Sequence, residues 1–190
     1  MTEFIPDEQI PDVILVKPKR FGDSRGFFEE SYVRQRYVDG GIDIEFVQDN
    51  HSLSQQKGTL RGLHFQTPPR AQAKLVRCTR GRLIDVAVDI RTGSPTFGQH
   101  VAVELSADNG WQLFIPAGFA HGFSTLEDNC ELQYKVSDYY SPECDAGLAY
   151  HEPSFGIDWR IELDKVHLSD KDNQLPLLKD YTSPFKYESS

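Results

Sequence analysis

The residues that could do chemistry are few and lie far apart in the chain: His64 in Leu60-Arg61-Gly62-Leu63-His64-Phe65-Gln66, then Lys74, His121 and Tyr134. The stretch from Gly58 to Gln66 mixes β-favouring residues with an arginine, a histidine and a glutamine, an unusual polar load for a segment that must also help fill a core. Something must satisfy that polarity, and Lys74, His121 and Tyr134 are partners of the right kind. If they converge, two histidines, a lysine and a tyrosine inside an apolar barrel form a proton-transfer set. Histidine titrates nearest neutrality, so a neutral His64 can accept a proton. For that it needs one fixed tautomer, held by a carboxylate, and Asp85 and Asp172 are both candidates. Tyr134 would donate a proton on the opposite face of a substrate, while Lys74 or His121 stabilises negative charge developing on an oxygen. Each of these residues alone has an ordinary structural explanation, so the inference rests on the set.

Such a set needs walls. Side chains alternate along a strand, so His64 shares a face with Gly62 and Gln66, and Arg61 points the other way. Arg61 and His64 can meet in one pocket only if the strand is irregular between them, and Gly62 is the natural place for a bulge. Short apolar runs at near-regular spacing read as strands over 13–16, 45–48, 60–66, 74–79, 83–90, 99–105, 111–115 and 130–136, with turn clusters between them. Turn residues followed by aromatics over 21–32 suggest a turn leading into a further strand. One short helix is expected from Tyr32 to Asp39, stopped at Gly40-Gly41. The tail from about residue 150 is less regular, with Trp159 packed and Ser169 placed as an N-cap before a short helical turn.

A chain of 190 residues with this pattern fits one domain over 1–190. The net charge of −9 argues against a general nucleic-acid binder. The N-terminus lacks the basic start and apolar run of a secretory signal, and no stretch approaches a membrane span. Three cysteines, Cys78, Cys130 and Cys144, without a CxxC pair, fit reduced thiols in a cytoplasmic protein.

Gly110, five residues, Pro116-Ala117-Gly118, two residues and His121 is the second sequence motif of the cupin jelly roll, with Thr125 where the motif ends in asparagine. The expected fold is therefore all-β: a cupin-type jelly-roll sandwich or barrel with a few short helices. Metal-binding cupins supply a His-x-His pair and a glutamate from their first motif. Here the corresponding stretch offers His64 alone, followed by Phe65 and Gln66, too few ligands for a catalytic metal. No metal is expected.

Eight segments occur in order: Phe-Gly-Asp-Ser-Arg-Gly-Phe-Phe, Phe-Val-Gln-Asp-Asn-His-Ser, Leu-Arg-Gly-Leu-His-Phe-Gln, Ala-Lys-Leu-Val-Arg-Cys, Asp-Val-Ala-Val-Asp-Ile-Arg, Ile-Pro-Ala-Gly-Phe-Ala-His-Gly-Phe, Tyr-Lys-Val-Ser-Asp-Tyr-Tyr-Ser-Pro and Leu-Ser-Asp-Lys-Asp. Together they resemble the dTDP-4-dehydrorhamnose 3,5-epimerase family over about residues 10–180. The resemblance implies a cofactor-independent cupin isomerase of dTDP-L-rhamnose biosynthesis. It would act on a dTDP-4-keto-6-deoxyhexose as a homodimer that exchanges a strand near the N-terminus. By resemblance His64 is the base, paired with Asp172 rather than Asp85, Tyr134 is the acid and Lys74 steadies the enolate oxygen. Arg25, Glu30, Gln48, Asp49, Asn50, Arg61, His121 and Lys171 would contact the nucleotide sugar, and Tyr140 would stack on thymine. Two departures stand out. Phe65 replaces a common tyrosine, on the face parity turns away from His64, and Asp145 stands where some relatives have glutamate. The alternatives are a mono-epimerase or ketoisomerase of another deoxysugar pathway, or a non-catalytic nucleotide-sugar-binding cupin.

Overall fold

Residues 83–90, Leu-Ile-Asp-Val-Ala-Val-Asp-Ile, are apolar on both parities, which suits a strand covered on both faces. The computed structural model, which describes residues 1–188, shows how that covering arises. In chain order the strands are β1 (Glu3–Pro6), β2 (Ile14–Lys17), β3 (Arg20–Asp23), β4 (Gly26–Glu29), β5 (Gln48–Ser54), β6 (Leu60–Gln66), β7 (Lys74–Arg80), β8 (Arg82–Asp89), β9 (His100–Ser106), β10 (Gln112–Ile115), β11 (Phe119–Thr125), β12 (Cys130–Val136) and β13 (Asp145–Gly147). The single α-helix among the described residues, α1 (Arg34–Asp39), lies between β4 and β5.

Two antiparallel sheets face each other, a six-stranded one in the order β1-β2-β10-β7-β12-β5 and a five-stranded one in the order β13-β6-β11-β8-β9. Their inner faces share a core that includes Val76, Leu83, Ala87, Leu113, Phe119, Phe123 and Leu132. The opposite face of the five-stranded sheet, carrying Leu60, Leu63, Phe65, Ile84, Val86 and Val88, is covered by Leu148, Phe155, Trp159 and Phe185 from the C-terminal segment. Strand β8 is thus buried on both sides. The outer face of the six-stranded sheet is covered in part by Tyr37 of α1 and by Ile42, packed on Val16, Leu75 and Phe114. This is the all-β jelly-roll sandwich that the cupin motif implied.

Several strands depart from the sequence-based expectation. Strand β5 runs Gln48–Ser54 rather than 45–48, β11 occupies the Phe119–Thr125 stretch that the motif alone did not mark as a strand, and β1 and β13 were not expected at all. The first two share a cause: their inward residues, Gln48, Asn50 and Ser52 on β5 and His121 on β11, line a polar cavity and so break the hydrophobic alternation by which strands are recognised. The helix is shorter than expected, six residues starting at Arg34, and ends before Gly40 and Gly41, the latter at φ +93.

Strands β3 and β4 form a separate hairpin. It is tethered by Arg20, whose Nε donates to Glu29 Oε2 at 2.7 Å and whose Nη1 donates to the Ala107 carbonyl at 2.7 Å. The hairpin leaves Phe21, Phe27 and Phe28 more than half exposed.

Candidate active site

At one end of the sandwich the two inner faces separate around a cavity of about 540 Å³. Its chemistry starts at β6. Between β6 and β11 the register pairs His64 with His121 but Arg61 with Phe123, so three steps on β6 match two on β11. The extra residue falls at Gly62-Leu63, and Gly62 takes φ +124, open to glycine and rarely to other residues. The bulge resets the alternation. Arg61 and His64 both border the cavity, while Leu60, Leu63 and Phe65 all enter the opposite core. Phe65 packs edge-on to Tyr181 and Phe185, away from the His64 side chain.

His64 Nε2 lies 2.5 Å from Asp172 Oδ1. Asp172 is almost fully buried, and Ser169 Oγ accepts the hydrogen bond of its backbone N–H at 3.1 Å. Burial alone would raise the carboxyl pKa of Asp172, but the His64 hydrogen bond and charge, with help from Ser169 and Lys171, hold it below the ordinary value. An ionised Asp172 accepts from Nε2–H, which leaves His64 Nδ1 as the basic nitrogen.

Lys74, on β7 of the facing sheet, is buried, and its Nζ donates to the His64 carbonyl at 3.2 Å. Desolvation lowers its pKa to about 8, against the opposing pull of Asp85 and Asp145. Tyr134, on β12, also comes from the facing sheet and lines the same cavity, so histidine and phenol approach from opposite walls. Burial pushes the Tyr134 hydroxyl up, which keeps its proton in place until a stronger base asks for it. His121 lines the floor beside His64 and bonds through Nε2 to Asp85 Oδ1 at 2.8 Å. Desolvation pulls its pKa down, and Asp85 only partly opposes this. Asp85 therefore serves His121, and Asp172 serves His64.

Around the mouth, Tyr140 Oη donates to Asp145 Oδ2 at 3.1 Å and Lys171 Nζ donates to the same oxygen at 2.5 Å. Gln48 donates to Asn50 Oδ1 at 2.8 Å, and Arg61 is braced by Ser54 Oγ and the Leu53 carbonyl. Of the thirteen residues expected at the site, ten line this cavity: Gln48, Asn50, Arg61, His64, Lys74, His121, Tyr134, Tyr140, Lys171 and Asp172.

Arg25, Glu30 and Asp49 do not. Asp49 has the wrong parity: its neighbours Gln48 and Asn50 face inward, and it points to the other side of β5, where Lys135 pairs with it at 2.9 Å. Arg25 sits at the exposed tip of the β3–β4 hairpin against Asp23, and Glu30 pairs with Arg36. Residues that the sequence did not single out also line the cavity, among them Ser52, Gln72 and His167. Ser52 was within reach, since it continues the inward parity of Gln48 and Asn50. His167 was not, because only the tertiary path of the tail brings it there. Among the described residues no three histidine, cysteine or acidic side chains are grouped so as to hold a metal ion.

Known proteins resemble this chain closely. A family model described as dTDP-4-dehydrorhamnose 3,5-epimerase matches residues 7–180. The chain is 51% identical over 178 residues to the dTDP-4-dehydrorhamnose 3,5-epimerase of Sinorhizobium fredii, covering 94% of this chain and 91% of that protein. It is 53% identical over 170 residues to the Salmonella typhimurium protein of the same description, covering 89% and 92%. The solved structure of dTDP-6-deoxy-D-glucose-3,5-epimerase from Legionella pneumophila, in complex with dTDP-4-keto-L-rhamnose, superposes with a TM-score of 0.94. It is 45% identical, with 100% of both chains covered.

Proposed function

The chain belongs to the dTDP-4-dehydrorhamnose 3,5-epimerase family, and on that premise we propose that it converts dTDP-4-keto-6-deoxy-D-glucose into dTDP-4-keto-L-rhamnose. It is an isomerase. The C4 ketone acidifies the hydrogens on C3 and C5, and His64 removes each of them in turn through Nδ1. Asp172 holds the base in the correct tautomer and stabilises the imidazolium that forms. Charge moves onto the C4 oxygen, where the Lys74 ammonium meets it, and Tyr134 returns a proton from the opposite wall; solvent then takes the proton from His64 and returns one to Tyr134 before the second centre reacts. Atoms and electrons are conserved in this sequence, so it calls for no redox cofactor.

The observation that carries this reading is the His64–Asp172 pair facing Tyr134 across the cavity. A positioned base or acid contributes about 10² to 10⁴ in rate. An oxyanion donor adds roughly 10² to 10³. Arg61 and Lys171 supply positive charge for the diphosphate, Gln48, Asn50 and His121 supply polar contacts to the ligand, and Tyr140 at the rim offers a ring for thymine.

The working form we propose is a homodimer in which the β3–β4 hairpin of one protomer reaches the cavity of its partner. Three exposed phenylalanines on a hairpin with little sheet support favour this, and it would give Arg25 and Glu30 a role that they lack within one protomer. We place the protein in the cytoplasm. Its three cysteines are free and buried, as suits a reducing compartment, and among the described residues no helix is long and apolar enough to cross a membrane.

The activity is tested by incubating the protein with dTDP-4-keto-6-deoxyglucose, a 4-ketorhamnose reductase and NADPH. Oxidation of NADPH that requires the protein supports the assignment, and none at any protein concentration refutes it. The dimer is tested by mixing Arg25→Ala with His64→Ala protomers. Recovery of activity beyond either variant alone is expected, because the mixed dimer rebuilds one complete site.

A further inference from the structure

Strand β8 carries one charged side chain into the inner core, Asp85, flanked on its own face by Leu83 and Ala87. It is completely buried. Its Oδ1 accepts from His121 Nε2 at 2.8 Å, and among the described residues its Oδ2 has no hydrogen-bond partner. A buried carboxylate with an idle oxygen is an expensive way to brace a strand that an apolar residue could brace as well. His121 is almost as buried, lines the cavity, and makes no hydrogen bond through Nδ1 among the described residues.

We propose that Asp85 is a positioning residue for the reaction: its Oδ1 holds His121 as the Nε2–H tautomer, so that Nδ1 accepts a hydrogen bond from a sugar hydroxyl. This rests on the reading above that the cavity holds a 4-keto sugar. It divides the two histidines by task. His64 exchanges protons with the substrate, whereas His121 stays neutral and recognises a hydroxyl.

The charged groups around His121 fit this arrangement. Facing His121 are Asp85, Lys74 and His64; burial and the Lys74 charge disfavour its imidazolium, and Asp85 only partly opposes them.

Two measurements test the proposal. In nitrogen-15 histidine spectra of the ligand-free wild-type protein, His121 should remain the neutral Nε2–H tautomer from pH 6 to 8.5. An Nδ1–H tautomer, or an imidazolium at pH 7, would overturn the proposal. In Asp85→Asn the amide can turn its N–H toward His121 and favour the Nδ1–H tautomer, so the same spectra should show that form, and KM for the nucleotide sugar should rise about tenfold while kcat changes less. An unchanged His121 tautomer with an unchanged KM in the folded variant means that Asp85 only braces the fold and refutes the proposal. Should Asp85→Asn fail to fold, the wild-type His121 tautomer decides. The spectroscopic readouts need no substrate, so a failed epimerase assignment shows itself in the coupled assay and leaves them intact.

Discussion

His64 and His121 stand opposite each other on neighbouring antiparallel strands, and each places Nε2 on an aspartate of its own, Asp172 at 2.5 Å and Asp85 at 2.8 Å. The pairs differ in burial. The His64 side chain is 31% exposed and that of His121 only 7%, so only His64 can carry a transient positive charge without a heavy desolvation penalty. On the proposed mechanism that difference, rather than the hydrogen bonds, separates the base His64 from the recognition group His121.

His64→Ala should lower kcat by about 10² to 10⁴ while leaving nucleotide-sugar affinity within a few fold. Asp172→Asn should fall in the same range, because an amide at that position can hold the wrong tautomer. Steady-state kinetics together with calorimetric titration of dTDP check both. Comparable losses of affinity and rate would count against the assigned base.

Tyr134→Phe removes the acid and leaves the base. Solvent deuterium should still enter C3 or C5 of the recovered substrate through His64, while inverted product falls by about 10² or more. Proton NMR of the reaction in D2O distinguishes this from loss of all exchange, which would assign Tyr134 to proton abstraction as well.

Lys74 carries its ammonium in a closed site, and that costs stability. Its folded pKa of about 8 lies below the ordinary 10.5, so the unfolded chain binds more protons between those values and stability rises as pH climbs through that window. Lys74→Met should therefore be inactive yet more stable at pH 7, by on the order of 1–3 kcal/mol, with the gain shrinking toward pH 10. Urea unfolding at both pH values checks the sign.

At Gly62 an added Cβ would come within 2.5 Å of Gly122 Cα and 2.8 Å of the His121 carbonyl, in a backbone conformation that side chains rarely adopt. Gly62→Ala should cost about 1–3 kcal/mol and lower kcat more than it raises KM, since the bulge aims His64. Thermal unfolding and kinetics on the same preparation test the link.

How much of this was legible in the sequence follows from what each residue faces. The strands 60–66, 74–79, 83–90 and 111–115 announce themselves because at least one of their faces meets a hydrocarbon core. Strand β5 does not, because its inward residues serve the cavity, and β11 hides behind its glycine and histidine. The bulge at Gly62 could be inferred from the need to bring Arg61 and His64 together. Parity would likewise have placed Asp49 outside, had the true extent of β5 been known. Asp172 could not be chosen over Asp85 from local pattern, since the pairing is made by the path of an irregular tail across the outside of the five-stranded sheet.

The most direct test of the central claim follows solvent deuterium into the substrate carbons by NMR, with wild-type protein and dTDP-4-keto-6-deoxyglucose in D2O. A base between two walls that serves both centres predicts label at C3 and at C5, and His64→Ala should abolish both. Label at one carbon alone, or undiminished labelling in His64→Ala, would contradict it.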